Sequence, residues 1–320
     1  MGDGEQVKAE LVLDVGAGHG EGPVWSSRDA CLYWVDIGAG HLHRFDPATG
    51  RDDVRDVGMP LGAAAERDAG GFVLAVETGF ASLDSWDAEP VVRTVVDHGP
   101  HLTRMNDGGC DPQGRFWAGS MAYACVAGAA TLWRLDPDWT AHAMVPGLTI
   151  SNGLDWDDDG RLWFIDTLAG GSFWQVLDGS VRPGVDTFVV DPATGSLSDR
   201  QRAFDVPTVV VDGQMTIPDG MTIDAEGGIW VAVMGSGEVR RYSPTGEVLQ
   251  SVEVPVVGPT SVAFGGDDLG DLYITSMTPH GAPGEDPRAP TTMWPPRPME
   301  GALFRCRPGM HGRPARRFAG

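Results

Sequence analysis

The sequence predicts an all-β fold, and three observations carry the prediction. The first is a recurring strand. An aliphatic–aromatic segment appears as "CLYWVD" around Tyr33, "GFVLAV" around Val73, "RFWAG" around Trp117, "RLWFID" around Trp163, "GIWVAV" around Trp230 and "DLYITS" around Tyr273. Successive copies stand 40, 44, 46, 67 and 43 residues apart. Periods of about 40–50 residues, built from short strands and tight turns, mark the blades of a propeller. The second observation is punctuation: 45 Gly and 24 Pro fall in short clusters, as a chain of many turns requires. The third is the missing helix signal, since no window of about 11–18 residues carries a capped helical period.

Taken in order, "AELVLDV" near the N-terminus is a strand available to close the ring. In the first unit "DPATG" begins at Asp46, 13 residues after Tyr33, where a hairpin would join a third strand to a fourth. The same mark returns as "DPDW" at Asp136, "DPATG" at Asp191 and "SPTG" at Ser243. Ser243 again follows its aromatic, Trp230, by 13 residues, but Asp191 follows Trp163 by 28. The hairpin between the second and third strands of the fourth unit is therefore extended, and an insertion is expected over about 167–216. In the last unit the run "MWPPRPM" at 293–299 predicts a rigid loop, over about 278–300. The end, "ARRFAG", is a second candidate for ring closure. Six units of four strands use the whole chain, so 1–320 is expected to be one domain, a six-bladed β-propeller.

Composition limits the function. A hydrophobic fraction of 42% supports a real core, while a net charge of −22 leaves nothing to neutralise phosphates. No nucleic-acid partner and no anionic membrane surface are expected. Four cysteines without CxxC spacing signal neither zinc nor a disulfide framework. The start lacks the basic and apolar regions of a signal peptide, and no run of about 18 apolar residues could span a membrane. The expectation is a cytoplasmic protein, monomeric or weakly homo-oligomeric, acting on a small molecule.

The repeat also aligns side chains. Asn106, Asn152 and Asp219 each stand eleven residues before their blade's Trp, at Trp117, Trp163 and Trp230. Glu21 precedes Trp25 as Asn152 precedes Trp156, and the second unit has Gly62 at the corresponding place, eleven before Val73. The innermost strand of each blade lines the central channel, so these groups are expected to converge on one axis. Asn-Gly and Asp-Gly are also common turn dipeptides, and each taken alone reads as a turn. As a set, oxygen ligands without His or Cys suit one divalent cation: Ca, Zn, Mn or Mg. Other motifs are weaker. His41 and His43 in "HLHRF" read as an exposed third strand, not a metal site. The "DWDDDG" run at 155–160 lacks the downstream Glu of a calcium loop and reads as a solvated hairpin turn. Ser120 lacks a nucleophile elbow.

"GEGPVW", "RMNDGGCDPQGRFWAGSM", "SNGLDW", "IPDGMTIDAEGGIWVA", "FGG…LYITS" and "GALFRC…RRFAG" resemble, in order and over nearly the whole chain, the regucalcin/gluconolactonase/luciferin-regenerating enzyme family. The resemblance implies a six-bladed propeller and a divalent-metal-dependent lactonase. By that resemblance Glu21, Asn152 and Asp219 are metal ligands, Asp219 doubles as general base, and Arg104 and Asn106 hold substrate. Alternatives stay open: the same centre used for phosphotriester hydrolysis or biosynthetic ring opening or closure, or a non-catalytic calcium-binding propeller. One departure bears on substrate. Sugar-lactone members usually carry an acidic residue after "AGSM", whereas here 122–130 reads "AYACVAGAA", with Tyr123 its only polar side chain. Such a wall pairs few sugar hydroxyls, and the expectation is a less hydroxylated lactone or ester, in a pocket shaped by Tyr123 and the 167–216 segment.

Overall fold

In three blades the tight turn between the first and second strands is stapled by an aspartate. In the computed structural model, which describes residues 7–279 and 297–320, Asp111 accepts from the indole of Trp117 at 3.0 Å, Asp157 from Trp163 at 2.9 Å and Asp224 from Trp230 at 2.8 Å. The other carboxylate oxygen takes the turn's own backbone N–H groups, from Arg115, Arg161 and Gly228. Gly114, Gly160 and Gly227 occupy the left-handed region these turns need. The staple explains why an acidic Gly turn precedes the aliphatic–Trp pair in three repeats. It also makes the acidic 155–160 run the solvated turn its sequence predicts.

The chain is a six-bladed β-propeller. Blade 1 comprises Gly20–Ser26, Cys31–Asp36, His41–Asp46 and Arg51–Asp56, and blade 2 runs from Leu61–Glu66 through Phe72–Val76 and Gly79–Leu83 to Val91–Val95. Blade 3 holds Thr103–Cys110, Phe116–Ala122, Ala130–Leu135 and Ala141–Leu148; blade 4 holds Ser151–Trp156, Leu162–Asp166, Gly184–Val190 and Leu197–Asp205. Blade 5 (Ile217–Ile223, Ile229–Met234, Glu238–Tyr242, Val248–Glu253) gains Val7–Lys8 as a parallel outer strand. All six repeated aromatic segments are second strands, and all four Pro/Gly marks join third strands to fourth ones.

Blade 6 closes the ring. Pro259–Gly265, Asp271–Ser276 and Leu303–Cys306 are completed by Glu10–Leu13, antiparallel on Leu303–Cys306. The N-terminal candidate thus forms the closing strand and "ARRFAG" does not, because Glu10–Leu13 already fills that edge. The tail crosses the turns at the hairpin end instead. Arg313 reaches Asp158, Arg316 reaches Asp155, and Phe318 bridges Arg67 of blade 2 in parallel.

Blades pack through aromatics. A second-strand ring meets a first-strand ring of the next blade at Trp117–Trp156 (6.0 Å), Trp230–Phe264 (5.8 Å) and Tyr273–Trp25 (6.0 Å). Burial of such rings is a large apolar contribution to these three seams. Between its second and third strands blade 4 carries the only helix among the described residues, Phe173–Leu177, capped by Ser172 with Gln175. A hairpin, Val210–Val211 with Gln214–Met215, follows blade 4. The proline run at 293–299 lies mostly outside the described residues. Among the described residues no helix is long and apolar enough to cross a membrane.

Candidate functional site

Each of the six inner strands breaks register near its start, between Glu21 and Val24, Leu61 and Ala63, Met105 and Gly108, Ser151 and Leu154, Pro218 and Met221, and Pro259 and Val262. A bulge re-aims a side chain that regular pleating would point sideways. Asn106, Asn152 and Asp219 lie inside these breaks and Glu21 at the edge of one, which is why the eleven-residue register of the sequence is a register in space.

The structure brings these groups together. Asn152 donates through Nδ2 to Oδ1 of Asp219 and, at 3.0 Å, to the Thr167 hydroxyl. Asn106 donates to the Ser151 carbonyl at 2.9 Å and accepts from Nη1 of Arg104 at 2.6 Å. Its amide is therefore engaged at both ends and holds Arg104 in place. Glu21, Arg104, Asn106, Asn152 and Asp219 are all buried. Thr167, at the start of the blade 4 connection, joins that segment to the site. Nearby Leu168 and Val176 pack in one cluster with Met121 of blade 3 and Met215 of the hairpin.

Buried Asp107, adjacent to Asn106, is a further carboxylate that the repeat did not predict. A signal existed: Asn152 and Asp219 are followed by Gly, whereas Asn106 is followed by an acid. Burial raises the pKa of the Asp107 carboxyl to about 6, against the opposing pull of the Gly108 N–H. Burial raises Asp219 to about 7; His19 opposes this and the Asp107 charge adds to it. Glu21 is held well above the usual range by burial, then by the charges of Asp219 and Asp107. Three buried carboxyl groups thus repel one another with Arg104 as the guanidinium among them, a field that favours a bound cation.

The donor chemistry fits a hard cation. Oδ1 of Asn152 is buried without a hydrogen-bond partner, although its Nδ2 is fully used. An amide oxygen left bare beside carboxylates has the electronic character of a ligand. Among the described residues no three His, Cys, Asp or Glu side chains form a metal cage by themselves, so any such site depends on this amide oxygen.

Tyr123 lies beside Arg104, whose Cζ is 5.9 Å from the ring centroid. Its hydroxyl donates to Oε1 of Glu77 at 2.9 Å. The 122–130 segment itself has no carboxylate, as its sequence shows, and the nearest acidic partner of Tyr123 comes from blade 2. The other motifs stay outside the cluster. His43 is buried rather than exposed, bonded to Asp52 at 2.7 Å and stacked on Trp34 at 3.8 Å. Ser120 hydrogen-bonds Thr131 within its own sheet. A groove of about 500 Å³ between Asp111–Gly114 and the C-terminal tail lies at the opposite end of the strands from the site.

The model of the SMP-30/gluconolactonase/LRE-like region matches residues 19–278, which carry every residue of this cluster. The chain belongs to that family. It is 35% identical over 286 residues to regucalcin of Macaca fascicularis, covering 86% of this chain and 90% of that one. It is also 35% identical over 303 residues to the 6-deoxy-6-sulfogluconolactonase of Pseudomonas putida, covering 94% and 95%. Among solved structures, a luciferin-regenerating enzyme superposes with a TM-score of 0.79 at 28% identity, covering 98% of this chain and 99% of that one.

Proposed function

We propose that this family member is a divalent-cation-dependent hydrolase that opens a lactone. The observation that carries the reading is the bare Oδ1 of Asn152 beside two buried carboxylates, with Arg104 fixed next to them. Glu21, Asn152 and Asp219 are the residues that would hold the cation. When bound, it supplies Lewis-acid polarisation of the substrate carbonyl. Asp219 accepts the proton of the attacking water, a task open to a carboxylate in its ionised form. The guanidinium of Arg104 donates to the carbonyl or ring oxygen as negative charge develops there. Asn106 keeps that guanidinium aimed, and burial excludes competing water. The relationship to a sulfogluconolactonase supports a lactone as the bond attacked.

A purely structural cation site has no use for a buried arginine held by an asparagine and stacked near a tyrosine, which favours catalysis over calcium storage. The test is metal analysis of the purified protein, followed by a pH-indicator assay with a lactone and with a phosphotriester, before and after chelation. Lactone turnover that chelation abolishes and divalent metal restores is the expected result. Turnover of the phosphotriester alone, or of neither ester by metal-loaded protein, would overturn the reading.

A further inference from the structure

Thr167 follows the second strand of blade 4 and is buried. Its backbone N–H donates to the Ile150 carbonyl at 3.0 Å. On one side the Asp166 carboxylate gathers the N–H groups of Thr149, Ile150 and Gly170. On the other, Leu168 is sunk in the cluster of Met121, Ile150 and Val176. Thr167 is therefore held from both flanks, and its hydroxyl meets Nδ2 of Asn152 at 3.0 Å.

Blade 1 builds the same corner without a hydroxyl. There Asp36 accepts from the N–H groups of Gly18 and His19 at 2.9 and 3.0 Å, as Asp166 does from Thr149 and Ile150. The next N–H, of Ile37, donates to the His19 carbonyl at 3.0 Å, as that of Thr167 does to Ile150. Ile37 is fully buried. The corner thus folds around an apolar β-branched side chain, and the hydroxyl of Thr167 answers a demand of the site rather than of the fold.

We propose that Thr167 is a positioning residue for Asn152 and fixes which end of its amide the cation meets; this rests on the cation-dependent reading above. The amide carries two N–H donors, and Asp219 and Thr167 take one each. Oδ1 is left without a partner among the described residues. Turned over, the amide would set that oxygen against the Asp219 carboxylate, which when ionised only accepts, and would aim its NH2 at the cation. Without the Thr167 oxygen the second N–H is buried and unpaired, so the side chain must rotate to find another acceptor. Oδ1 then loses its aim, and binding a cation has to restore it. Groups that orient a metal ligand in this way typically control affinity or activity by about 10–100-fold. Thr167 reaches the reaction only through Asn152, so its loss falls on metal binding and not on the chemical step.

The test is calorimetric titration of the metal-stripped full chain with Mn²⁺ and with Ca²⁺, for the wild type, Thr167→Val, Thr167→Ser and Thr167→Ala. Thermal melts of the metal-free proteins check folding. Thr167→Val, whose shape Ile37 shows the corner to accept, should weaken binding of the tighter cation about 10–100-fold, and Thr167→Ser, which keeps the hydroxyl, about threefold or less. Should the Val variant fail to fold, Ala against Ser makes the same comparison. Lactone turnover at rising metal concentration then separates affinity from chemistry, and Thr167→Val should regain the wild-type kcat once metal saturates. A wild-type Kd in Thr167→Val, a loss in Thr167→Ser as large as in Thr167→Val, or a kcat that stays low under saturating metal would overturn the proposal. A wild type that binds the cation but opens no lactone, with binding still weakened in Thr167→Val, would overturn the lactonase reading and support the positioning role.

Discussion

The side-chain amide of Asn152 donates to the carboxylate of Asp219 in the neighbouring blade, and its own oxygen stays buried without a hydrogen-bond partner. One hydrogen bond thereby orients both groups. It also separates their roles, since the Asn152 oxygen can only coordinate or accept, while Asp219 can exchange a proton.

Asp219→Asn removes that proton acceptor but keeps an oxygen of the same reach. The variant should retain bound metal and lose 10²-fold or more in kcat, within the range of ~10²–10⁴ that general-base groups contribute. Metal analysis and steady-state kinetics on one preparation check this. Wild-type kcat in the variant would remove Asp219 from the role of base.

Arg104→Ala should leave metal content unchanged and lower kcat/KM by ~10²-fold, as loss of a transition-state donor does. Arg104 is buried and bonded to Asn106, so an independent check on folding is required. A circular-dichroism melt close to that of the wild type, together with the kinetic loss, supports the role. A variant that fails to fold makes Arg104 a structural partner of Asn106.

The buried carboxyl groups predict how stability follows pH in metal-free protein. Asp219 and Asp107 have folded-state values of about 7 and about 6, against an ordinary aspartate value near 3.9 when unfolded. Between those limits these two groups bind more protons in the folded chain than in the unfolded one, so their contribution to stability is greatest at low pH and is lost as pH rises from about 4 to about 7. A bound cation compensates the exposed charge and needs deprotonated ligands. The gap in Tm between metal-loaded and metal-free protein should therefore widen from pH 5 to pH 8. A gap independent of pH would mean that metal does not bind at these carboxylates.

The fold was legible because its signals are local and repeated: an aromatic strand, an aspartate six residues before its Trp, a Pro/Gly mark in each long hairpin. Glu21, Asn106, Asn152 and Asp219 were legible for the same reason, since the bulge sits at one register of every inner strand. What escaped were contacts made across blades. Asp107 stands where two other repeats have Gly, and Glu77 meets Tyr123 from 46 residues away in another blade. His43 was read as part of an exposed third strand, but its cross-strand neighbour Trp34 covers it. The tail was a second candidate for closure because "GALFRC…RRFAG" resembles the family's closing segment, and a single anchored Phe does not distinguish a strand from a strap.

That anchor yields the last prediction. Phe318 is fully buried in the cluster between blades 2 and 3, edge-on to Trp139 at 5.2 Å. Its backbone is tied to blade 2 through Glu66 and Asp68, at 2.9 Å each. Phe318→Ala leaves a cavity in a packed seam and should destabilise the protein by about 3–5 kcal/mol. The ring itself is closed elsewhere, by Glu10–Leu13 on Leu303–Cys306. Unfolding in urea should therefore stay a single transition with an unaltered m-value and a lower midpoint, and the folded fraction should keep its turnover. Loss of cooperativity, or an m-value clearly below that of the wild type, would show instead that the tail and not the N-terminal strand holds the propeller closed.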